Sequence, residues 1–263
     1  MKVRVLAAGA AVLVLAGCGG GGTGAASAAG AAAPAAPEER TLTVLAAASL
    51  TDVFDGLETA FEAAQPGVDV VLSYGASSEL AQQVVNGSPA DVLASASGTT
   101  MRTVTDAGLA AGPPEVFARN RLQIVTPPGN PAGIAAFADL TRPDLQVVVC
   151  APQVPCGAAV ERIEQATGVT LTPVSEEPDV RSTLGRITTG NADAGLVYVT
   201  DVLSAGDAVT GVDFPEAAQA VTDYPIAVLA GAPQPELARA FTDLVTGAEG
   251  QAALAGAGFV TGS

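Results

Sequence analysis

The stretch LAAASLTDVF, residues 45–54, joins a strand to a helix and decides the fold class of this chain. The run TLTVLAAA (41–48) is almost entirely apolar, which is typical of a buried strand. From Leu50 the apolar residues recur at helical spacing until a Pro-Gly pair ends the pattern. Ser49 lies at the junction, so the stretch predicts one β–α unit with a hydroxyl group between strand and helix.

The same alternation of strand and helix continues along the chain. It predicts an α/β fold whose mostly parallel sheets are covered by helices on both faces. Further strands are predicted at 68–74, 91–95, 121–127, 145–150, 194–199 and 225–230. Further helices are predicted at 79–86, 158–168, 179–190 and 235–247.

Residues 1–18, MKVRVLAAGAAVLVLAGC, have the order of basic residues, apolar run and small residues that is typical of a signal peptide. The apolar run is too short to span a bilayer. Its end resembles the bacterial lipobox, which implies cleavage before Cys18 and acylation of that cysteine. The alternative is an ordinary signal peptide with an incidental cysteine. We expect an exported protein, anchored by lipid to the outer face of the cell membrane.

Residues 19–40 consist mainly of Gly, Ala, Ser and Pro, which cannot bury enough apolar surface to fold. They predict a flexible tether with an r.m.s. reach of roughly 25 Å.

The charge balance excludes several classes of partner. Loss of Lys2 and Arg4 with the signal peptide takes the 11 basic residues to 9, against 27 acidic residues, for a formal charge of −18. Nucleic acids and anionic lipid surfaces need basic patches, so neither is expected as a partner. The chain has no histidine, which removes histidine-based catalysis and histidine-ligated metals. We therefore expect neither an enzyme nor a cofactor.

Ser49 has two possible roles. It can cap the following helix, with Asp52 completing a capping box. Alternatively, it can bind a ligand, because ligands of open α/β sheets sit beyond the carboxyl ends of strands, at helix N-termini. A second junction, SYGASSEL (73–80), places Ser77 and Ser78 in an equivalent position. Two such junctions predict a single crevice.

Five motifs follow one another along the chain: TVLAAASLTDVF (43–54), VVLSYGASSELAQQVVNGSPADVLASAS (70–97), VPCG (154–157), DVR (179–181) and AGLVYVTD (194–201). In this order and spacing they resemble the substrate-binding proteins of bacterial molybdate ABC transporters, over roughly residues 41–263. The resemblance implies a two-lobed type II periplasmic-binding-protein fold, with a mostly parallel sheet flanked by helices in each lobe and the ligand in the interlobe cleft. Residues 41–122 and 225–263 would form the first lobe and residues 123–224 the second. It also implies a monomer that binds molybdate and tungstate and delivers them to the membrane permease of an ABC importer.

The resemblance also implies which residues contact the oxyanion. Ser49 and Ser77 would each give a hydroxyl and a backbone N–H group, Cys156 and Val180 a backbone N–H group, and Tyr198 its phenolic O–H. All of these groups are donors and none would bind molybdenum directly. Many relatives have alanine where this chain has Cys156. Because the expected contact is the backbone N–H group, the change of side chain does not by itself prevent it. Tyr198 could instead be a half-buried tyrosine whose hydroxyl reaches solvent.

Other residues near these motifs have simpler interpretations. Arg181 is expected to be a surface or hinge residue, and Tyr74 to lie in the core or at the rim. Cys150 and Cys156 are the two thiols left once Cys18 is acylated, so in an exported chain they predict a disulfide. A redox pair is the alternative, although the spacing is not C-x-x-C.

Two other functions stay open. A protein of the same fold could bind sulfate or a small organic acid. An α/β hydrolase would place its serine in a G-x-S-x-G elbow and would need a base, whereas this chain has AAASL and no histidine.

Overall fold

The structure is a computed structural model that describes residues 40–262. The predicted signal peptide, the lipidation site Cys18 and residues 19–39 of the predicted tether lie outside the described residues. Within residues 40–262 no helix is long and apolar enough to cross a membrane.

Strands and helices alternate along the described chain. The strands are β1 Arg40–Ala47, β2 Val68–Gly75, β3 Val92–Ala94, β4 Glu115–Asn120, β5 Leu122–Thr126, β6 Val147–Cys150, β7 Ser175–Glu177, β8 Ala194–Tyr198, β9 Thr210–Val212 and β10 Thr222–Val228. The α-helices are α1 Thr51–Ala64, α2 Ser77–Val85, α3 Gly98–Asp106, α4 Pro155–Thr167, α5 Val180–Thr188, α6 Val199–Ala205, α7 Pro235–Thr246 and α8 Ala248–Gly256. Short 3-10 helices cover Ala48–Leu50, Phe137–Thr141, Gly206–Ala208 and Pro215–Ala220.

The described strands form two five-stranded sheets, and we call each sheet with its helices a lobe. The first sheet has the order β2-β1-β3-β10-β4 and the second the order β7-β6-β8-β5-β9. The chain passes to the second sheet between Asn120 and Leu122, and it returns at Thr222 with β10. The exact residue ranges of the lobes stay a prediction.

Each sheet is mixed rather than mostly parallel, which corrects the expectation from the sequence. In the first sheet β1 pairs in parallel with β2 and β3, whereas β10 pairs antiparallel with β3 and β4. In the second sheet β6 pairs in parallel with β7 and β8, whereas β5 pairs antiparallel with β8 and β9. The reason in the first sheet is that β4 takes the chain towards the second lobe and β10 brings it back, so they run in opposite directions.

Helices cover both faces of the first sheet because its inner strands are apolar on both sides. Phe54 of α1 and Phe241 of α7 are fully buried on one face, with ring centroids 5.9 Å apart. Leu80 of α2 and Met101 of α3 are buried on the other face. Burial of side chains of this size contributes about 1.5–3 kcal/mol each, so these layers stabilise the frame of the site.

The core of the second lobe extends to the boundary with the first. It contains Val180, Leu196 and other buried residues of α4, α5, β5, β6 and β8. Ala48 and Ala76, from the first lobe, belong to the same cluster of buried side chains. The two lobes therefore pack directly against each other next to the two strand-to-helix junctions.

Candidate functional site

The structure brings all five predicted contact residues to one cleft between the lobes. Ser49 and Ser77 line it from the first lobe, and Cys156, Val180 and Tyr198 line it from the second. Each of the five has a relative exposure of 4% or less. The cleft is thus closed to bulk water where these residues meet.

Ser49 is not the cap of helix α1. The 3-10 helix Ala48–Leu50 precedes α1 and moves the start of α1 to Thr51. Leu50 is therefore the N-cap, and no side chain of residues 40–262 caps the helix. The Ser49 hydroxyl instead lies 2.8 Å from the Tyr224 hydroxyl, and either oxygen can be the donor. The capping-box interpretation with Asp52 is therefore wrong.

Ser77 is the first residue of α2, and its hydroxyl has one bond already. Its Oγ accepts a hydrogen bond from the Ala96 N–H, at 2.9 Å. A hydroxyl has one proton to donate besides its acceptor capacity, so the Ser77 proton is left for a group in the cleft. Ser78 does not line the cleft, although the sequence placed it at the same junction.

Cys156 lies in the first turn of α4, directly after Pro155. It forms a disulfide with Cys150, the last residue of β6, with the two Cα atoms 5.7 Å apart. The next residue must be small, because a Cβ atom at Gly157 would come within 2.0 Å of the Ala151 carbonyl oxygen. Disulfide and glycine together hold the start of α4 close to the end of β6.

Val180 is the first residue of α5, and Asp179 caps that helix. The Asp179 carboxylate accepts hydrogen bonds from the Ser182 N–H at 2.8 Å and from the Ser182 hydroxyl at 3.0 Å. The N–H groups of the first helical turn have no acceptor in their own helix. Ser77, Cys156 and Val180 thus offer backbone donors at three helix starts, where the helix dipole also favours an anion.

Tyr198 is the last residue of β8 and is fully buried, so its hydroxyl does not reach solvent as the alternative interpretation expected. Within residues 40–262 no group has full hydrogen-bond geometry to its phenolic oxygen, although the hydroxyls of Thr222 and Tyr224 lie nearby. Burial raises the pKa of Tyr198 above its ordinary value, which keeps the hydroxyl protonated. A buried donor without a partner in the cleft wall points to a ligand with acceptor atoms.

The chemistry of the cleft wall is that of hydrogen-bond donors without positive side chains. None of the described residues that line the cleft is a lysine or an arginine. Within residues 40–262 no cluster of histidine, cysteine, aspartate or glutamate side chains could hold a metal ion. The site can bind an anion by hydrogen bonds and helix N-termini.

Comparison with known proteins identifies the family. The family model described as bacterial extracellular solute-binding protein matches residues 42–260. This chain belongs to that family. The molybdate-binding protein ModA of Mycobacterium tuberculosis (strain H37Rv) is 53% identical over 220 residues, which is 84% of this chain and 84% of that protein. The resemblance to substrate-binding proteins of molybdate transporters is thereby confirmed.

Two solved structures share the two-lobed fold of this family. The periplasmic molybdate-binding protein of Azotobacter vinelandii has a TM-score of 0.72 at 22% identity, over 84% of this chain and 100% of that chain. The sulfate-binding protein SubI of Mycobacterium tuberculosis H37Rv has a TM-score of 0.75 at 22% identity, over 84% of this chain and 86% of that chain. The predicted type II periplasmic-binding-protein fold is confirmed. The matched family members are extracellular solute-binding proteins rather than enzymes.

Arg181 and Asp52 contact each other across the two lobes, which the sequence did not predict. Arg181 Nη2 pairs with Asp52 Oδ2, and the Ser204 hydroxyl donates a hydrogen bond to the same carboxylate oxygen, at 2.6 Å. Arg181 is therefore an interlobe residue rather than a simple surface or hinge residue. Tyr74, in contrast, stays at the rim of the first lobe, where its hydroxyl donates to Asp55 Oδ1 at 2.6 Å.

Asp201 is the buried partner of Arg181 within the second lobe. Its Oδ1 lies 3.1 Å from Arg181 Nε, although the two groups do not have hydrogen-bond geometry, and its Oδ2 accepts the Tyr198 N–H at 3.0 Å. Burial raises the pKa of Asp201 to about 7, against the lowering effect of the Arg181 charge. Asp52 differs: burial acts to raise its pKa, but hydrogen bonds from Ser204 and Arg181 hold it below its ordinary value.

Proposed function

We propose that this protein captures molybdate and tungstate outside the cell and delivers them to the membrane permease of an ABC importer. The observation that carries the proposal is the buried, donor-lined cleft, where no group of the described residues has full hydrogen-bond geometry to the Tyr198 hydroxyl. The 53% identity to the molybdate-binding protein ModA of Mycobacterium tuberculosis supports molybdate as the anion. The protein would act as a monomer, without a cofactor and without chemistry on its cargo.

A molybdate dianion presents only acceptor oxygens, so a wall of donors can satisfy it. Ser49 and Ser77 would donate from the first lobe, and the N–H groups of Cys156 and Val180 and the Tyr198 hydroxyl from the second. Each hydrogen bond to a charged group contributes about 1.5–3 kcal/mol. Helix N-termini add positive potential without a basic side chain, which suits a chain with 27 acidic and 11 basic residues.

The same wall would exclude hydrogen phosphate, whose proton needs an acceptor. Among the described residues of the cleft wall, Asp179 is the one carboxylate, and both of its oxygens accept bonds from Ser182. Sulfate is the nearest rival, because it is also an unprotonated tetrahedral dianion. Sulfate is smaller than molybdate, so the site would distinguish the two anions by the distance between the hydrogen-bond donors of the first lobe and those of the second.

Calorimetric titration of the mature protein with molybdate, tungstate, sulfate and phosphate tests the proposal. We expect molybdate and tungstate to bind at least about tenfold more tightly than sulfate, a difference of about 1.4 kcal/mol. Phosphate should give no binding heat. Tighter binding of sulfate than of molybdate would assign the site to sulfate. No binding heat with any of the four anions would contradict the proposed function.

We further propose that Cys18 carries a diacylglycerol anchor, on the strength of the small residues that precede it in the sequence. At least two acyl chains give stable membrane attachment, whereas one chain is marginal. Cys18→Ser should therefore move the protein from the membrane fraction to the soluble fraction or block its maturation, as followed by fractionation and immunoblot. Unchanged membrane association of Cys18→Ser would exclude acylation at this position.

A further inference from the structure

We propose that Asp52, Arg181 and Ser204 form a latch between the lobes that slows release of the bound anion. The proposal rests on the proposed function, since it concerns the same cleft. None of the three residues belongs to the set of five predicted anion contacts. Their role would be to favour the closed arrangement of the lobes.

The latch joins three helices of the two lobes at a single carboxylate. Asp52 lies in the first turn of α1 in the first lobe, whereas Arg181 lies in α5 and Ser204 in α6 of the second lobe. Asp52 Oδ2 accepts from both Arg181 Nη2 and the Ser204 hydroxyl, and Ser204 Oγ accepts from Arg181 Nη1 at 3.2 Å. The three side chains thus form a closed triangle of hydrogen bonds. Opening of the lobes would have to break both bonds to Asp52.

In the second lobe, the Arg181 side chain of the latch is already ordered before the lobes close. Arg181 lies against the buried Asp201, with Nε 3.1 Å from Oδ1, and both residues are in the second lobe. This contact lies entirely within the second lobe, so Arg181 needs little further ordering when Asp52 arrives. Side chains that are already ordered lose less entropy on contact, which increases the net stabilisation of the closed state.

The latch lies beside the anion site. Arg181 directly follows Val180, which lines the cleft, and Asp52 follows Ser49 by three residues. Asp52, Arg181 and Ser204 also line a second cavity that shares Ser49 with the cleft. Closure that brings Ser49 and Val180 to one anion therefore also brings Asp52 to Arg181. A ligand that contacts both lobes and a latch between the lobes favour the same state.

The test uses the mature protein with Asp52→Asn, Ser204→Ala and the double variant. Molybdate affinity is measured by calorimetry, and dissociation by stopped-flow tyrosine fluorescence. Asp52 is half-exposed, so we expect an effect of moderate size: three- to tenfold weaker binding, mainly through faster dissociation. The double variant should weaken binding by less than the product of the two single effects, because both changes remove bonds to one carboxylate.

Asp144→Asn is the matched control, because Asp144 forms an exposed ion pair with Arg142, at 2.9 Å, within the second lobe. It should leave affinity and dissociation rate unchanged. Wild-type protein that binds none of the four oxyanions would overturn the proposed function. Wild-type protein that binds molybdate, while Asp52→Asn and Ser204→Ala bind and release it at wild-type rates, would overturn the latch alone. Multiplicative effects in the double variant would also overturn it.

Discussion

At the scale of single residues, the hydrogen bond that each cleft hydroxyl already makes with the protein decides whether its proton is free for a ligand. Ser77 already accepts a bond from Ala96, and Ser49 shares one with Tyr224. If Tyr224 donates to Ser49, both serines keep their protons for the ligand. Burial raises the pKa of Tyr224 well above its ordinary value, so this tyrosine stays protonated and able to donate.

Ser49→Ala should separate a ligand role from a structural one. Loss of a hydroxyl bonded to a buried dianion should weaken molybdate binding by about 1.5–3 kcal/mol, which is about ten- to more than a hundredfold. Ser77→Ala should behave alike, and Ser78→Ala, outside the cleft, is the matched control. Titration calorimetry measures the affinity for molybdate, and thermal unfolding measures the melting temperature. Wild-type affinity in Ser49→Ala and Ser77→Ala, with only a lower melting temperature, would remove both serines from the site.

The five predicted contacts come from sequence motifs, and the structure places all five in one cleft. The partners that support them could not be predicted in the same way. Tyr224 is 175 residues from Ser49, and Arg181 is 129 residues from Asp52. The first pair depends on how the first lobe packs and the second on how the lobes meet, and no local pattern in the sequence records either.

At the scale of helices and strands, the apolar patterns were predictable, including that of the short strand β3, whereas several other elements were missed. Helix α1 is predicted because its apolar residues repeat over 14 residues. Helix α6 was missed because its first residue, Val199, continues the apolar run of β8, so that the sequence alone extends the strand. Strands β7 and β9 have three residues each, which is too short for a period to appear, and they lack the apolar run that marks β3.

The junction of β6 and α4 carries the disulfide, and its presence in the isolated protein is a separate prediction. Reduction should raise the intact mass of the protein by the mass of two hydrogens. Cys150→Ala with Cys156→Ala should lower the free energy of unfolding by about 2 kcal/mol, as expected for a short closed loop. It should also weaken molybdate binding modestly, because the Cys156 N–H is held less firmly. Two free thiols in protein that was never reduced would contradict the bridge.

At the scale of the whole molecule, the ion pairs at the lobe boundary bring together groups with opposite responses to pH. The buried carboxyl of Asp201 is surrounded by Arg181, by the Tyr198 N–H and by the further carboxylates Asp52 and Asp179. Its pKa is raised to about 7, whereas that of Asp52 lies below the ordinary value of 3.8. Stability should therefore depend on pH with two contributions of opposite sign.

Asp201→Asn isolates the contribution of Asp201. Between about pH 4 and pH 7 the folded protein holds a proton on Asp201 that the unfolded chain has lost, so the free energy of unfolding falls as pH rises through this range. Asn keeps one oxygen for the Tyr198 N–H but does not titrate. Urea unfolding of both proteins at several pH values should show the wild type losing ~3 kcal/mol relative to Asp201→Asn from pH 4 to pH 7, with little further change above.

The Asp52 contribution is lost only as pH falls below about 4, and it cancels in the difference because both proteins contain it. Parallel stability curves for the two proteins over this range would show that Asp201 is ionised in the folded state throughout, held by Arg181 despite its burial.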